Sequence, residues 1–207
     1  MIELFEKYKA SLPLVTAEEV SLYNRHFLIL KSWNERMALV SKKSIELSFA
    51  NHFADSLFIS DFAKKFLREG QVYDLGTGAG FPGIVFGARY PEIKVRLYEK
   101  LLKKQTFLAA VLNDLKLKNI ELQGAMPEIR HEGVLLARAV MPPVELFPFV
   151  AKRMKAGSVI IVNIGSSAEV PLAPREFQRL EEFRYSLPLD CGDRKAIAFE
   201  FVPRETK

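Results

Sequence analysis

Cysteine is almost missing: Cys191 stands alone among 207 residues, which excludes an internal disulfide. Three histidines, His26, His52 and His131, lack any zinc-ligand spacing, so no metal is expected. No stretch approaches the roughly 18 consecutive apolar residues that a membrane span requires. Met1 to Ala10 is charged and amphipathic, without the apolar centre of a secretion signal. These absences predict a cytoplasmic protein without membrane attachment. The sequence also lacks a Ser-His-Asp or paired-carboxylate constellation, an absence that does not argue against an enzyme. What is present is ordinary globular material: 49% hydrophobic and 27% charged residues, enough for one substantial core plus an appendage. A net charge of +5 favours an anionic partner, nucleic acid among them, although a generic basic enzyme would share it.

The apolar pattern changes character near residue 70. Before it, Phe5 and Tyr8, then Val20, Tyr23, Phe27, Leu30 and Leu39, then Ile45, Leu47 and Phe49, then Leu57, Phe58, Phe62 and Phe66 recur at helical spacing. Thr16 with Glu19 forms a capping box for a long helix, and Gly70 suits a helix end. After residue 70, apolar runs near 71–75, 95–99, 120–123, 133–138, 158–163 and 195–202 predict strands, with one more strand as an option near Tyr185. Helices are expected near 81–90, 101–116, 143–154 and 174–182, and 166–174 reads as a flexible loop. The β-α-β-α order predicts an α/β fold with a mostly parallel, Rossmann-like sheet and helices on both faces, preceded by a helical extension. Residues 1–69 and 70–207 are the corresponding units.

The richest stretch is Tyr73-Asp74-Leu75-Gly76-Thr77-Gly78-Ala79-Gly80-Phe81-Pro82-Gly83, where a buried strand hands over to a helix. Glycines there can take positive φ and let a ligand approach the backbone, and Pro82 suits a first helical turn. Glu99 ends the next strand at roughly the 20-residue spacing at which an acid meets a ribose. Gly78 to Gly83 formally satisfies the dinucleotide pattern G-x-G-x-x-G. The turn begins earlier, however, with Asp74 at the strand end and glycines running as G-x-G-x-G. That arrangement resembles the first motif of class I S-adenosylmethionine-dependent methyltransferases. An acidic strand end beside a sulfonium and an ammonium is electrostatically reasonable, and the methyl donor is favoured over a nicotinamide.

In an open α/β sheet the ligand lies beyond the carboxyl ends of the strands. Those ends carry Asp74 and Gly76, Glu99, Gly124 to Glu128, Arg138 and Asn163. Arg138 either serves a crevice or pairs with a carboxylate such as Glu99 or Glu128. Asn163 reads as a turn residue and Trp33 as core packing between helices.

Over nearly the full length the chain resembles the small ribosomal RNA methyltransferase G family, also called glucose-inhibited division protein B. The resemblance is carried by Trp33-Asn34, Ala38-Leu39-Val40-Ser41, His52-Phe53-Ala54-Asp55-Ser56-Leu57, the run from Asp74 to Gly83, and Arg138-Ala139. It implies a class I S-adenosylmethionine-dependent methyltransferase that modifies N7 of one guanine in bacterial 16S ribosomal RNA, with 16S rRNA or the small ribosomal subunit as partner; a monomer is expected. Carried over by residue, it implies cofactor contacts from Asp74, Gly76, Gly78, Phe81, Glu99, Pro127, Glu128 and Arg138. Glu99 would take the ribose hydroxyls, and Pro127-Glu128 would lie along the adenine. His52 and Asp55, with Arg138, would support the substrate side; alternatively His52 and Asp55 hydrogen-bond to each other or cap neighbouring loops. Lys42, Lys43, Lys103, Lys104 and Arg175 are candidate RNA contacts. The chain departs from the family pattern with Val162-Asn163-Ile164-Gly165, which has no lysine, with Ala125-Met126-Pro127-Glu128, and with Asn51 before His52. These departures keep two alternatives open: a class I methyltransferase with a small-molecule or protein substrate, and a non-catalytic RNA- or ribosome-binding module.

Overall fold

A computed structural model describes residues 1–165, 167–169 and 172–203. The first part of the chain is helical: α1 (Ile2–Tyr8), α2 (Ala17–Asn34), α3 (Lys42–Glu46) and α4 (Asp55–Lys64), with a π-helical segment at Phe49–Ala54 leading into α4. α2 starts on the expected capping box: Thr16 accepts from the Glu19 amide while Glu19 Oε2 accepts from the Thr16 amide, so two amides without intrahelical partners are satisfied reciprocally. α4 ends at Lys64, ahead of Gly70, which therefore belongs to the loop entering the sheet and not to a helix cap.

The remaining elements are β1 (Gln71–Leu75), α5 (Gly83–Arg89), β2 (Val95–Tyr98), α6 (Leu102–Leu115), β3 (Ile120–Gln123), β4 (Gly133–Arg138), α7 (Pro143–Ala151), β5 (Val159–Gly165), β6 (Phe177–Ser186) and β7 (Asp193–Phe201). They form one seven-stranded sheet in the order β3-β2-β1-β4-β5-β7-β6. β1 to β5 pair in parallel, and β7 runs antiparallel between β5 and β6. The chain winds outward from β1 to β3 and then returns to β4 beside β1. That reversal opens a crevice between the carboxyl ends of β1 and β4.

One face of the sheet, through Val72, Val95, Leu97, Val134, Leu136, Ile161, Ala196 and Ala198, shares a single apolar cluster with α5, α6 and the N-terminal helices, including Phe5, Tyr23, Phe53 and Leu57. The other face, through Tyr73, Leu135, Ile160, Ile197 and Phe199, packs on Leu146, Phe147 and Val150 of α7. The helical extension thus lies on the sheet as part of its core. Arg89 of α5 adds a polar tie, bonding Glu19 of α2 at 2.9 Å and Asp61 of α4.

The helix expected over 174–182 is instead the beginning of β6. Phe177, Leu180 and Phe183 recur every three residues, which mimics a helix. The cause is a β-bulge between Arg179 and Glu181. The inserted residue reverses the side-chain alternation, so Phe177 joins the α7 face while Tyr185 joins the opposite one. Arg179, Glu182 and Arg184 place charge along this edge strand, as edges exposed to solvent require. The option of a strand near Tyr185 is the one observed. Of the predicted loop, residues 166, 170 and 171 lie outside the described residues.

Candidate active site

A cleft of about 410 Å³ opens at the carboxyl edge of the sheet, lined by Leu75 and Gly76 at the end of β1, Tyr98 to Leu101 at the end of β2, Gly124 to Met126 after β3, and Ala139 to Met141 after β4. Lys104 of α6, Phe149 of α7 and Arg153 close its sides. Much of its inner wall is backbone. Gly76 has φ +68, and a Cβ there would lie 2.5 Å from Val140 Cγ2, so a side chain would both strain the turn and fill the crevice. The amides of Gly76 and Thr77 bond the Tyr98 carbonyl at 2.9 and 3.1 Å, which fastens the glycine loop to the end of β2.

Glu99 is the acid of this cleft. It is buried, and its two carboxylate oxygens accept from the backbone: Oε2 from Gly78 at 3.2 Å and Oε1 from Leu101 at 2.9 Å. Gln105 holds the Glu99 carbonyl at 2.7 Å, and the Lys104 ammonium stands 3.9 Å from Oε2. The carboxylate is therefore fixed in position before any ligand arrives. Asp74 points elsewhere: it is fully buried beneath the loop, where Oδ2 accepts from the Gly83 amide at 2.8 Å, and burial pushes its pKa up to about 6. The close packing there depends on Gly83, whose added Cβ would lie 2.2 Å from Leu97 and 2.6 Å from Asp74 Oδ2. Pro127 and Glu128 are exposed just past the lining residues, with Glu128 3.6 Å from Arg153.

Arg138 ends β4, and its guanidinium is turned toward the helical extension. Its carboxylate partner is Asp55, with Nη1 3.1 Å from Oδ2, instead of Glu99 or Glu128. Nη2 donates to the Asn51 carbonyl at 2.6 Å and to His52 Nδ1 at 3.1 Å. Because guanidinium can only donate, His52 must accept at Nδ1 and carry its proton on Nε2, which then donates to Ser44 Oγ at 2.8 Å. Burial and the neighbouring Arg138 charge push the His52 pKa down to about 3, in agreement with a neutral ring. His52 and Asp55 thus do not bond to each other; both face Arg138.

Phe81 is buried and does not line the cleft. Its ring stacks on His52 at 4.9 Å and on His26 at 4.7 Å, so it packs between the glycine loop and the extension. His26 donates from Nε2 to the Ala79 carbonyl at 2.9 Å, and burial lowers its pKa to about 4. The structure adds members that the sequence reading missed. Tyr185 of β6 donates its hydroxyl to Asp55 Oδ1 at 2.6 Å and accepts from Asn163 of β5 at 2.6 Å, so Asn163 is a network residue within a strand and not a turn former. Arg194 of β7 bonds Asn51 Oδ1 at 3.3 Å. The available signal was small: Asn163 near the end of the apolar β5 and Arg194 at the start of β7. Trp33 packs edge-on against Phe107 at 5.8 Å, consistent with packing between helices. Among the described residues no cluster of three His, Cys, Asp or Glu side chains could hold a metal, and no helix is long and apolar enough to cross a membrane.

The family described as rRNA small subunit methyltransferase G matches residues 19–189, which include most of the extension, the cleft, and Arg138 with Asp55, His52 and Tyr185. The chain belongs to this family. Similar proteins named Ribosomal RNA small subunit methyltransferase G include one from Acetivibrio thermocellus, 33% identical over 160 residues, a match covering 73% of this chain and 65% of that protein. Another, from Leuconostoc mesenteroides, is 30% identical over 212 residues, covering 93% of this chain and 86% of that protein. Among solved structures, a mutant of MtNAS in complex with S-adenosylmethionine aligns with a TM-score of 0.59 at 15% identity, covering 91% of this chain and 80% of that one. The putative methyltransferase yhhF from Escherichia coli aligns with a TM-score of 0.56 at 14% identity, covering 72% and 86%. These likenesses show the class I methyltransferase fold. The cleft fits the cofactor of that fold: a backbone cradle at Gly76 that a Cβ would fill, a fixed carboxylate at Glu99 for a diol, and cations at Lys100 and Lys104 for a carboxylate.

Proposed function

We propose that the chain transfers a methyl group from S-adenosylmethionine to N7 of a guanine in bacterial 16S ribosomal RNA. The observation that supports this reading most is the coincidence of family membership over residues 19–189 with a strand-end cleft that presents Glu99 beside an open glycine turn. Bound there, the cofactor would supply an electrophilic sulfonium methyl. In this reading Glu99 takes the ribose hydroxyls, and Gly76 and Gly78 give the backbone room. Asp74 and Phe81 shape the loop from below, and Pro127-Glu128 cover the adenine from the rim.

Guanine N7 has a lone pair and no proton, so no general base is needed. Alignment carries the catalysis, and orientation of this kind contributes on the order of 7–11 kcal/mol in well-aligned systems. The absence of a hydrolytic constellation is consistent with that demand. Arg138, held by Asp55 and His52 beside Ala139 and Val140, is the cation assigned to the substrate side, where an arginine can address guanine O6 or a phosphate. Exposed Lys42, Lys43, Lys103 and Arg175 would add phosphate contacts, with Lys104 nearer the cofactor. Residues 1–69 would serve the RNA and residues 70–207 the cofactor, in a cytoplasmic monomer without metal or membrane attachment.

The test is transfer from labelled S-adenosylmethionine to 30S subunits and to naked 16S RNA lacking N7-methylguanine, with the modified base mapped and Arg138→Ala in parallel. Label on one guanine, lost in the variant, is expected. Turnover on small molecules or proteins alone would reassign the substrate, and RNA binding without cofactor binding would remove the enzyme reading.

A further inference from the structure

Three strand ends and the helical extension meet at one buried carboxylate, and the hydrogen bonds around it run in a fixed direction. The amide nitrogen of Asn163 can only donate, so the Tyr185 oxygen receives that bond and must send its own proton to Asp55 Oδ1. Asp55 then has one oxygen committed to Tyr185, while the other faces Arg138. This division allows the guanidinium to split its contacts: Nη1 lies beside Asp55, and Nη2 reaches the Asn51 carbonyl and His52 Nδ1.

We infer that Tyr185 is a positioning residue for Arg138, acting through the Asp55 carboxylate, with Asn163 orienting the Tyr185 hydroxyl. For its kinetic readout this rests on the methyl-transfer reading above. A carboxylate turns about a broad, two-fold torsion, so without the hydroxyl both oxygens of Asp55 become free to rotate toward Arg138. Arginine and carboxylate favour a forked, two-bond pair. Forming it would draw Nη2 away from Asn51 and His52 and move the cation at the end of β4. The Tyr185 ring is held independently of its hydroxyl, stacked on Phe58 at 4.7 Å and on Phe183 at 5.3 Å, so Tyr185→Phe removes the bond and keeps the packing.

The experiment compares wild type, Tyr185→Phe, Asn163→Ala and the double variant. It measures kcat and KM on 30S subunits, thermal midpoint, and the guanidinium Nη–H resonances of Arg138 in arginine-¹⁵N-labelled protein. A displacement of this kind lowers kcat about tenfold or more in Tyr185→Phe, while KM for S-adenosylmethionine stays within about twofold. Resolved Arg138 Nη–H signals in wild type broaden or shift in the variant. Asn163→Ala shows a smaller loss of the same kind, and the double variant is no slower than Tyr185→Phe, because Asn163 acts only through the hydroxyl. Wild-type kcat in Tyr185→Phe, or a kcat loss with unchanged Arg138 signals, would overturn the assignment. If the wild type labels no RNA, the methyl-transfer reading falls instead. The guanidinium spectrum then decides the positioning role alone: a changed spectrum supports it and an unchanged one overturns it.

Discussion

Around Glu99 the site is made of backbone. Amides of Gly78 and Leu101 hold the carboxylate, amides of Gly76 and Thr77 tie the loop to β2, and the crevice exists because Gly76 has no side chain. Around Arg138 it is made of side chains, brought from α4, β5 and β6 and from the segments before α4, and buried between the extension and the sheet. The two regions stand on neighbouring strand ends, Gly76 beyond β1 and Arg138 on β4, yet they depend on different physics. A backbone cradle needs a local turn and tolerates change in distant parts of the chain. A buried ionic network needs every member, because each deletion leaves a partner desolvated and unpaired.

Breaking the side-chain region should therefore have the largest effect on stability. Asp55→Ala strips the carboxylate from Arg138 and from the Tyr185 hydroxyl, and removing one member of a buried pair costs about 3–5 kcal/mol. Urea denaturation should show a loss of that size, and a loss under about 1 kcal/mol would mean that the network is solvated.

Acid should single out the same region. His52 and His26 have folded pKa values near 3 and 4, below the usual 6.5, so the folded state binds fewer protons than the unfolded chain in that interval. Their contribution is complete above about pH 6.5 and is lost as pH falls toward those values, at about 1.4 kcal/mol per unit for each ring. Asp74 works in the opposite sense. Its folded pKa of about 6 lies above the ordinary 3.8, so its cost is absent at low pH and grows as pH rises from about 4 to 6. Stability should fall on acidification below pH 6.5. Asp74→Asn should gain about 1–3 kcal/mol at pH 7 and nothing at pH 4. Denaturation curves at pH 4 and 7 check both, and a flat profile would contradict the neutral, buried assignment of the two rings.

The backbone region answers to cofactor affinity. Glu99→Gln places an amide nitrogen against either the Gly78 or the Leu101 N–H, so calorimetry should show S-adenosylmethionine binding weakened about a hundredfold with little change in fold. Lys104→Ala should have the smallest effect. Its ammonium is 3.9 Å from Glu99 and partly exposed, and a loss of about twofold to fivefold, shrinking with salt, is expected.

The same contrast explains what could be read from the chain. The glycine turn, Glu99 and the positions of β1 to β4 were legible because their determinants are local: strand, turn and helix follow one another within a few residues. Arg138 stood out as a charge ending an apolar strand. Its environment did not, since Asp55 and Tyr185 lie 130 residues apart and nothing in either neighbourhood names the other. The start of β6 was hidden by its bulge, which breaks the two-residue period at Arg179 to Glu181 and leaves a three-residue spacing that passes for a helix. The short run near Tyr185 reads as an optional strand, but nothing in it names Asn163 as a partner. Asp74 was correctly placed at the strand end, while only the fold shows that its carboxylate turns under the loop, away from the cleft.

The separation of the two regions is the central claim, and one variant tests it directly. Arg138→Lys keeps a cation beside Asp55 and removes the fork to Asn51 and His52. S-adenosylmethionine binding by calorimetry and methyl transfer to 30S subunits should be measured on the same preparation. Binding within about threefold of wild type, with transfer reduced about a hundredfold, is the expected result. Transfer at the wild-type rate, or binding and transfer falling together, would contradict it.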